Sequence, residues 1–196
     1  MDILASYGIG VPQRLVVDAL PAVVPLNFPV VLKVSDPHIP HKTDVGGVLL
    51  NIRDADNLKT AFAEMKGRFP DSSFLIETME KPGVEMIIGL TRDSTFGLTV
   101  ILGIGGVYTE LYGDVSVRVL PIEDVDTDEM ISEIRAAKLF DGFRNLKANR
   151  EMVKDILLKV SRLGGDHSEC IEQFDLNPVI VREHDAVVVD AKMILR

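Results

Sequence analysis

The sequence predicts an α+β protein of two lobes built on antiparallel sheets, and three observations carry that prediction. Strand-like apolar runs follow one another with few helical segments between them, unlike the strand–helix alternation of a doubly wound parallel sheet. Glycine, proline and aspartate separate the runs at short intervals. The 196 residues are enough for one substantial domain or two small lobes sharing a cleft. A hydrophobic content of 46% with 26% charged residues is that of an ordered globular chain.

Taken in order, residues 2–7 read as the tail of a helix stopped at Gly8 and Gly10. The proline-interrupted stretch that follows (Pro12, Pro21, Pro25) has no clear pattern. Residues 28–34 form a buried strand carrying Lys33, and 48–52 return as a strand. Asp54 or Asp56 caps a helix whose Leu58, Ala61, Phe62, Met65 and Phe69 keep helical spacing. Strands are expected at 73–78, 84–91, 98–103 and 115–120, the middle two joined by the polar turn 92–95. The acidic run 123–128 reads as a solvated loop approaching a helix that carries Met130 and Ile134. A longer helix covers 150–163, and two strands, 171–181 and 186–191, close the chain.

A formal charge of −9 argues against a general nucleic-acid binder, because phosphate backbones select positive surfaces. The single cysteine, Cys170, leaves no internal disulfide, which points to a reducing, cytoplasmic compartment. Residues 1–4 lack the basic start of a signal peptide. The most apolar window, 98–108, is broken by Gly103, Gly105 and Gly106, so no membrane span is expected.

The stretch 33–47, K-V-S-D-P-H-I-P-H-K-T-D-V-G-G, holds more reactive material than a strand connection needs. Gly46-Gly47 allow backbone N–H groups to approach a ligand, and lysines complement phosphate, so this loop is expected to cover a nucleotide's phosphates. From its strand alone Lys33 reads as a snorkelling or edge lysine. His41 stands among lysines, aspartates and glycines and has the chemistry of a phosphoryl acceptor, whereas His38, His167 and His184 read as solvated. Residues 77–79 end a strand either plainly or as a hinge facing an adenine edge, and Arg92 is a turn residue within reach of phosphate.

Near the C-terminus, a turn centred on Glu183-His184 places Asn177 opposite Asp190 and Asp175 opposite Lys192. Directly opposed side chains stand about 5 Å apart at Cβ and alternate residues share a face. Asp175, Asn177 and Asp190 then offer oxygens suited to Mg²⁺, which takes one or two carboxylates together with phosphate and water. The same residues also make a wet face of an ordinary hairpin.

Together these pieces resemble the ATP-grasp subunit of the ADP-forming acyl-CoA synthetases, relatives of succinyl-CoA synthetase. The strings that carry the resemblance are A-S-Y-G-I (5–9), F-P-V-V-L-K-V (28–34), H-K-T-D-V-G-G-V (41–48) and G-V-E-M-I-I-G (83–89). They continue through R-D-S-T-F-G (92–97), G-I-G-G-V-Y-T-E (103–110), D-V-S-V-R-V-L-P (114–121), G-F-R (142–144), D-L-N-P (175–178) and V-D-A (189–191). The resemblance implies one ATP-grasp domain over 1–196, with a lid lobe at about 11–78 and the remainder, including the N-terminal turn, as the main lobe. It implies that ATP or ADP binds through Lys33, Lys42, Gly46, Gly47, Glu77, Met79, Glu85 and Arg92. It further implies that Asn177 and Asp190, with Asp175 close by, hold Mg²⁺, and that His41 relays a phosphoryl group. The implied reaction is acyl-CoA + ADP + phosphate giving acid + ATP + CoA. A CoA-binding (alpha) partner subunit would carry the primary phosphohistidine, so a hetero-oligomer is expected. The segment 11–27 is shorter than the family's.

Two other readings compete with this one. One is a non-catalytic, regulatory ATP-grasp-like domain of the kind attached to protein acetyltransferases. The other is an ATP-dependent carboxylate–amine ligase, which needs no His41. Retention of Lys33, His41, Asn177 and Asp190 favours the synthetase.

Overall fold

The computed structural model describes residues 2–39, 42–105, 113–142 and 147–196. Pro40, His41, Gly106 and Asn145 lie outside the described residues. The elements in order are α1 (Asp2–Ser6), β1 (Arg14–Val17), β2 (Val30–Ser35), β3 (Val48–Ile52), α2 (Ala55–Arg68) and β4 (Ser73–Thr78). There follow β5 (Val84–Asp93), β6 (Gly97–Ile104), β7 (Val115–Val119), α3 (Asp124–Glu133), a 3₁₀ turn (Arg135–Leu139) and α4 (Arg150–Asp166). The chain ends with β8 (Ile171–Val181), β9 (Ala186–Val188) and β10 (Ala191–Leu195). It divides into two compact units, Pro12–Lys81 and the remainder (Met1–Val11 with Pro82–Arg196).

The smaller unit is a four-stranded sheet in the order β1-β4-β2-β3, with every pairing antiparallel. Alternation along β2 sends Val30, Leu32 and Val34 to one face, where Leu58, Phe62 and Met65 of α2 meet them with Phe74 and Ile76 of β4. Asp54 caps α2 by accepting the Asn57 N–H at 2.8 Å, as its position predicts. β1 was not legible among the prolines. Its four residues gain strand geometry only by pairing with β4, with Leu15 opposite Ile76.

The larger unit is a sheet in the order β10-β8-β5-β6-β7, with β9 adding to β8. α4 lays Val153, Ile156, Leu157, Val160 and Leu163 into the core made with Ile88, Leu90, Val100 and Leu102. The helix continues through Gly164, where a Cβ would stand 2.5 Å from Leu120 and 2.9 Å from Leu90, so glycine permits a helix–sheet approach that a larger residue blocks.

The acidic run 123–128 is a helix start, not a loop. Glu123 and Asp126 form a reciprocal capping box, and carboxylates in a first turn face the positive end of the helix dipole. The anticipated 92–95 turn is also displaced, because β5 runs on to Asp93, whose Oδ1 accepts the N–H groups of Thr95 and Phe96.

α3 braces β7 through Arg118, which donates to Glu133 at 2.5 Å and to Glu129 at 3.2 Å, while Ser116 donates to Glu133 at 2.5 Å. The Arg118 and Ser116 donors pull the Glu133 carboxyl from 4.5 down to about 2. A depressed folded value means that the stabilisation is complete above pH 4.5 and lost as pH falls towards 2. Urea midpoints measured at pH 5 and pH 3 should therefore differ less in Glu133→Gln than in the parent chain. An equal drop in both would assign the acid sensitivity elsewhere.

Candidate functional site

In the smaller unit the face of β2 opposite α2 carries Lys33. Register sets Lys33 opposite Leu75 and Val31 opposite Glu77, so Lys33 and Glu77 are diagonal neighbours on that face. Lys33 Nζ lies 2.5 Å from Glu77 Oε2, with the two side chains only 10% and 2% exposed. The lysine is thus neither a snorkelling nor an edge residue; it is one half of a buried ion pair. Beside it, Glu77 Oε1 and Thr78 Oγ1 are buried with no hydrogen-bond partner among the described residues. Buried acceptors without donors are rare and mark a place where a ligand's N–H or O–H groups fit. The neighbouring backbone donors are already used, with Thr78 N–H donating to Gln13 O and Met79 N–H to Pro29 O, both at 2.9 Å.

The loop after β2 is held by the unit itself. Gly46 sits at φ +63, in the left-handed region that favours glycine, and a Cβ on Gly47 would stand 2.6 Å from Val34 Cγ1 and 3.0 Å from Lys42 O. Gly47 N–H donates to Lys42 O at 2.6 Å, closing the turn. Arg68, in the last turn of α2, donates to Val45 O at 2.6 Å and to Gly46 O at 3.1 Å. The close approaches that the glycine pair permits are therefore to Val34, Lys42 and Arg68. Arg68 carried no motif and was missed. The residues 42–47 are placed together, while His41 lies outside the described residues.

In the larger unit the hairpin register is the one the turn implied. Lys192 opposes Asp175, Val188 opposes Val179, and Asn177 N–H donates to Asp190 O at 3.2 Å. The second strand is split into β9 and β10 around Val189-Asp190. Against β5, β8 carries one extra residue: Ile88 opposes Leu176 but Met86 opposes Val179. This bulge accommodates Pro178, which has no N–H for a ladder, and leaves Asn177 exposed while the buried set shifts from 174 and 176 to 179 and 181.

One row runs across this sheet from Val117 through Ile101, Gly89 and Asp175 to Lys192. At Gly89 a Cβ would stand 2.9 Å from Phe174 O and 3.2 Å from Asp175 Oδ1, so glycine keeps the space beside that carboxylate open. Burial raises the Asp175 pKa, opposed by the N–H donated from Gln173 at 2.7 Å and by the charge of Lys192. A nearby cation would offset that desolvation cost. Asp175, Asn177 and Asp190 are brought together on one hairpin, and two carboxylates plus an amide suit a hard cation completed by phosphate oxygens. Among the described residues no cluster of three His, Cys, Asp or Glu forms a self-sufficient metal cage.

Glu85 is exposed, and its carbonyl accepts Gly105 N–H at 2.6 Å. The glycine-rich segment starting at Gly103 thus has a packing explanation, since a Cβ on Gly105 would meet the Glu85 backbone at 2.9 Å. Arg92 stands three residues beyond Gly89 on β5, about 10 Å along the strand. It donates to Ile171 O at 2.7 Å and also to Ser168 O, tying the sheet to the end of α4. Its guanidinium donors are thus spent on the chain's own backbone.

Comparison with known proteins identifies the family and the fold. The family model for an ATP-grasp domain matches residues 1–195. The beta subunit of ADP-forming acetate–CoA ligase II of Pyrococcus furiosus is 38% identical, the match covering 100% of this chain and 89% of that subunit. ADP-forming acetate–CoA ligase I of Archaeoglobus fulgidus is 41% identical, but the chain spans only 30% of that longer protein. Among solved structures, the dinucleotide forming acetyl-coenzyme A synthetase 1 of Ca. Korarchaeum cryptofilum, in complex with coenzyme A and Mg-AMPPCP, superposes with a TM-score of 0.88. It is 41% identical, with 100% of this chain and 89% of that one covered. In that structure the phosphohistidine segment points towards the nucleotide binding site. Two antiparallel sheets, a buried lysine on the smaller and a carboxylate–amide hairpin on the larger, together with these matches over the full length, place the chain in the ATP-grasp family, alongside the beta subunits of ADP-forming acetate–CoA ligases.

Proposed function

We propose that the chain is the ATP-grasp subunit of an ADP-forming acyl-CoA synthetase of the acetate–CoA ligase type. It binds Mg·ADP or Mg·ATP and exchanges a phosphoryl group, so that acyl-CoA + ADP + phosphate gives acid + ATP + CoA. The observation that carries this reading is the hairpin of β8 with β9 and β10, where the Asn177 N–H pairs with the Asp190 carbonyl two residues along from Asp175, whose carboxylate borders Gly89. These three residues would hold Mg²⁺. When bound, the ion supplies charge neutralisation at the transferring phosphate oxygens.

Lys33, fixed by Glu77, presents an ammonium to phosphate from a rigid strand. Lys42, Gly46 and Gly47 form the loop over the phosphates, and residues 77–79 with Glu85 flank the adenosine. The orphaned acceptors on Glu77 and Thr78 are suited to a nucleotide's amino or hydroxyl hydrogens. His41 relays the phosphoryl group to and from a histidine on a CoA-binding alpha partner, with which the chain forms a hetero-oligomer in the cytoplasm. No described helix is long and apolar enough to cross a membrane.

The test is ATP formation from acetyl-CoA, ADP, phosphate and Mg²⁺ with the chain and its CoA-binding partner together. His41→Ala is expected to reduce ATP formation to background while Mg·ADP still raises the melting temperature. ATP formation unaffected by that substitution would refute the relay. Absence of any nucleotide effect would favour a regulatory ATP-grasp-like domain instead.

A further inference from the structure

The sequence offers His38 as a solvated residue, and its side chain is indeed 91% exposed. Its ring is nevertheless held. Asp36 Oδ1 accepts the His38 backbone N–H at 2.9 Å and lies 3.0 Å from the ring Nδ1. The other carboxylate oxygen, Oδ2, accepts the Ser72 hydroxyl at 2.7 Å. Ser72 is buried and directly precedes β4, and Ser35, which precedes Asp36, pairs with Ser73. The Ser72–Asp36–His38 chain is therefore anchored on two adjacent strands of the smaller unit, three residues after Lys33. The Ser72 hydroxyl, followed by the His38 backbone N–H, holds the Asp36 carboxyl below the usual aspartate range, so it is ionised at neutral pH. Among the described residues, no carboxylate pairs with a ring nitrogen of His167 or His184.

A carboxylate against Nδ1 keeps the proton there and leaves the lone pair on Nε2, facing solvent. That arrangement, a nucleophile oriented by a third group, is the signature of an activated histidine. We propose that His38 is a second phosphoryl-accepting histidine of the loop, taking the group on Nε2 while Asp36 steadies Nδ1–H. The inference rests on the reading that this loop handles nucleotide phosphates.

In the step itself the Nε2 lone pair forms a bond to the γ-phosphorus of ATP. The bond from that phosphorus to the β–γ bridging oxygen breaks, and ADP departs with the electron pair. The phosphorylated ring carries positive charge, which the adjacent Asp36 carboxylate balances without accepting the proton. The reverse step regenerates ATP from ADP. The loop would then hold two acceptors, so phosphate arriving at His41 and phosphate parked on His38 are separate states.

The full chain is incubated with γ-³²P-labelled ATP and Mg²⁺, and acid-labile, alkali-stable label is located by electron-transfer fragmentation. Label on His38 is expected in the parent chain and in His41→Ala, and absent in His38→Gln. Asp36→Asn should slow it about tenfold or more, because the tautomer is no longer set. Equal melting temperatures and equal Mg·ATP shifts across these variants confirm that the fold and nucleotide binding persist. If nucleotide binds but all label disappears with His41→Ala, the His38 assignment is overturned and the nucleotide reading stands. If no nucleotide binds, that reading fails, and potassium phosphoramidate decides His38 alone. Faster labelling of His38 than of His167 and His184, slowed by Asp36→Asn, supports the assignment; equal labelling of all three overturns it.

Discussion

Asp190→Ala should erase the Mg²⁺-dependent part of nucleotide stabilisation. A ligand present at about 100 times its Kd stabilises the native state by about 2.7 kcal/mol. For a chain of this size that is roughly 5–10 °C in melting temperature. Asp190 is where the hairpin crosses from β9 to β10, and its carbonyl receives the Asn177 N–H at 3.2 Å. The substitution keeps that backbone bond and removes only the carboxylate. Asp185, at the tip of the same hairpin and 2.5 Å from Arg182, is the control. Asp185→Ala should retain the nucleotide shift, since its partner is structural. An Asp190→Ala chain whose shift with Mg·ADP matches the parent's would remove the hairpin from the metal site, whatever else binds the nucleotide.

The second large effect is on stability. In Lys33→Ala the Glu77 carboxylate, 2% exposed, loses its partner at 2.5 Å. Breaking one half of a buried pair costs about 3–5 kcal/mol, because the remaining charge is left desolvated. Replacing both, as in Lys33→Met/Glu77→Leu, should recover most of that loss, since apolar residues of similar volume need no counter-charge. Urea denaturation of the two variants decides the matter. A Lys33→Ala midpoint close to the parent's would mean that the pair is not buried in solution. Nucleotide binding should be lost in both variants, so stability and ligand affinity separate in the double variant alone.

Much of this protein was legible in its residues for reasons that are local. β3 and β4 occupy the expected spans because alternation is a property of neighbouring residues. The start of α2 follows from Asp54, whose side chain can only cap a helix that begins beside it. The hairpin register followed from one turn, because a turn fixes every later pairing by counting. β1 and α3 were misjudged for the opposite reason. β1 exists by virtue of β4, some 60 residues away, and the acidic start of α3 looks like a solvated run until its capping box is seen.

The candidate site divides in the same way. By itself the sequence determined which chemical groups are present: a lysine inside an apolar strand, a glycine pair, and two carboxylates with an amide on one hairpin. Only the tertiary structure decided what each of them touches. It pairs Lys33 with Glu77, gives the glycine loop to Arg68 across 22 positions of chain, and spends Arg92 on Ser168 and Ile171. It also joins Ser72 to Asp36 across 36 positions, turning an unremarked histidine into an oriented one. Residue type and spacing encode local geometry, whereas these contacts depend on which strands become neighbours and which faces they bury.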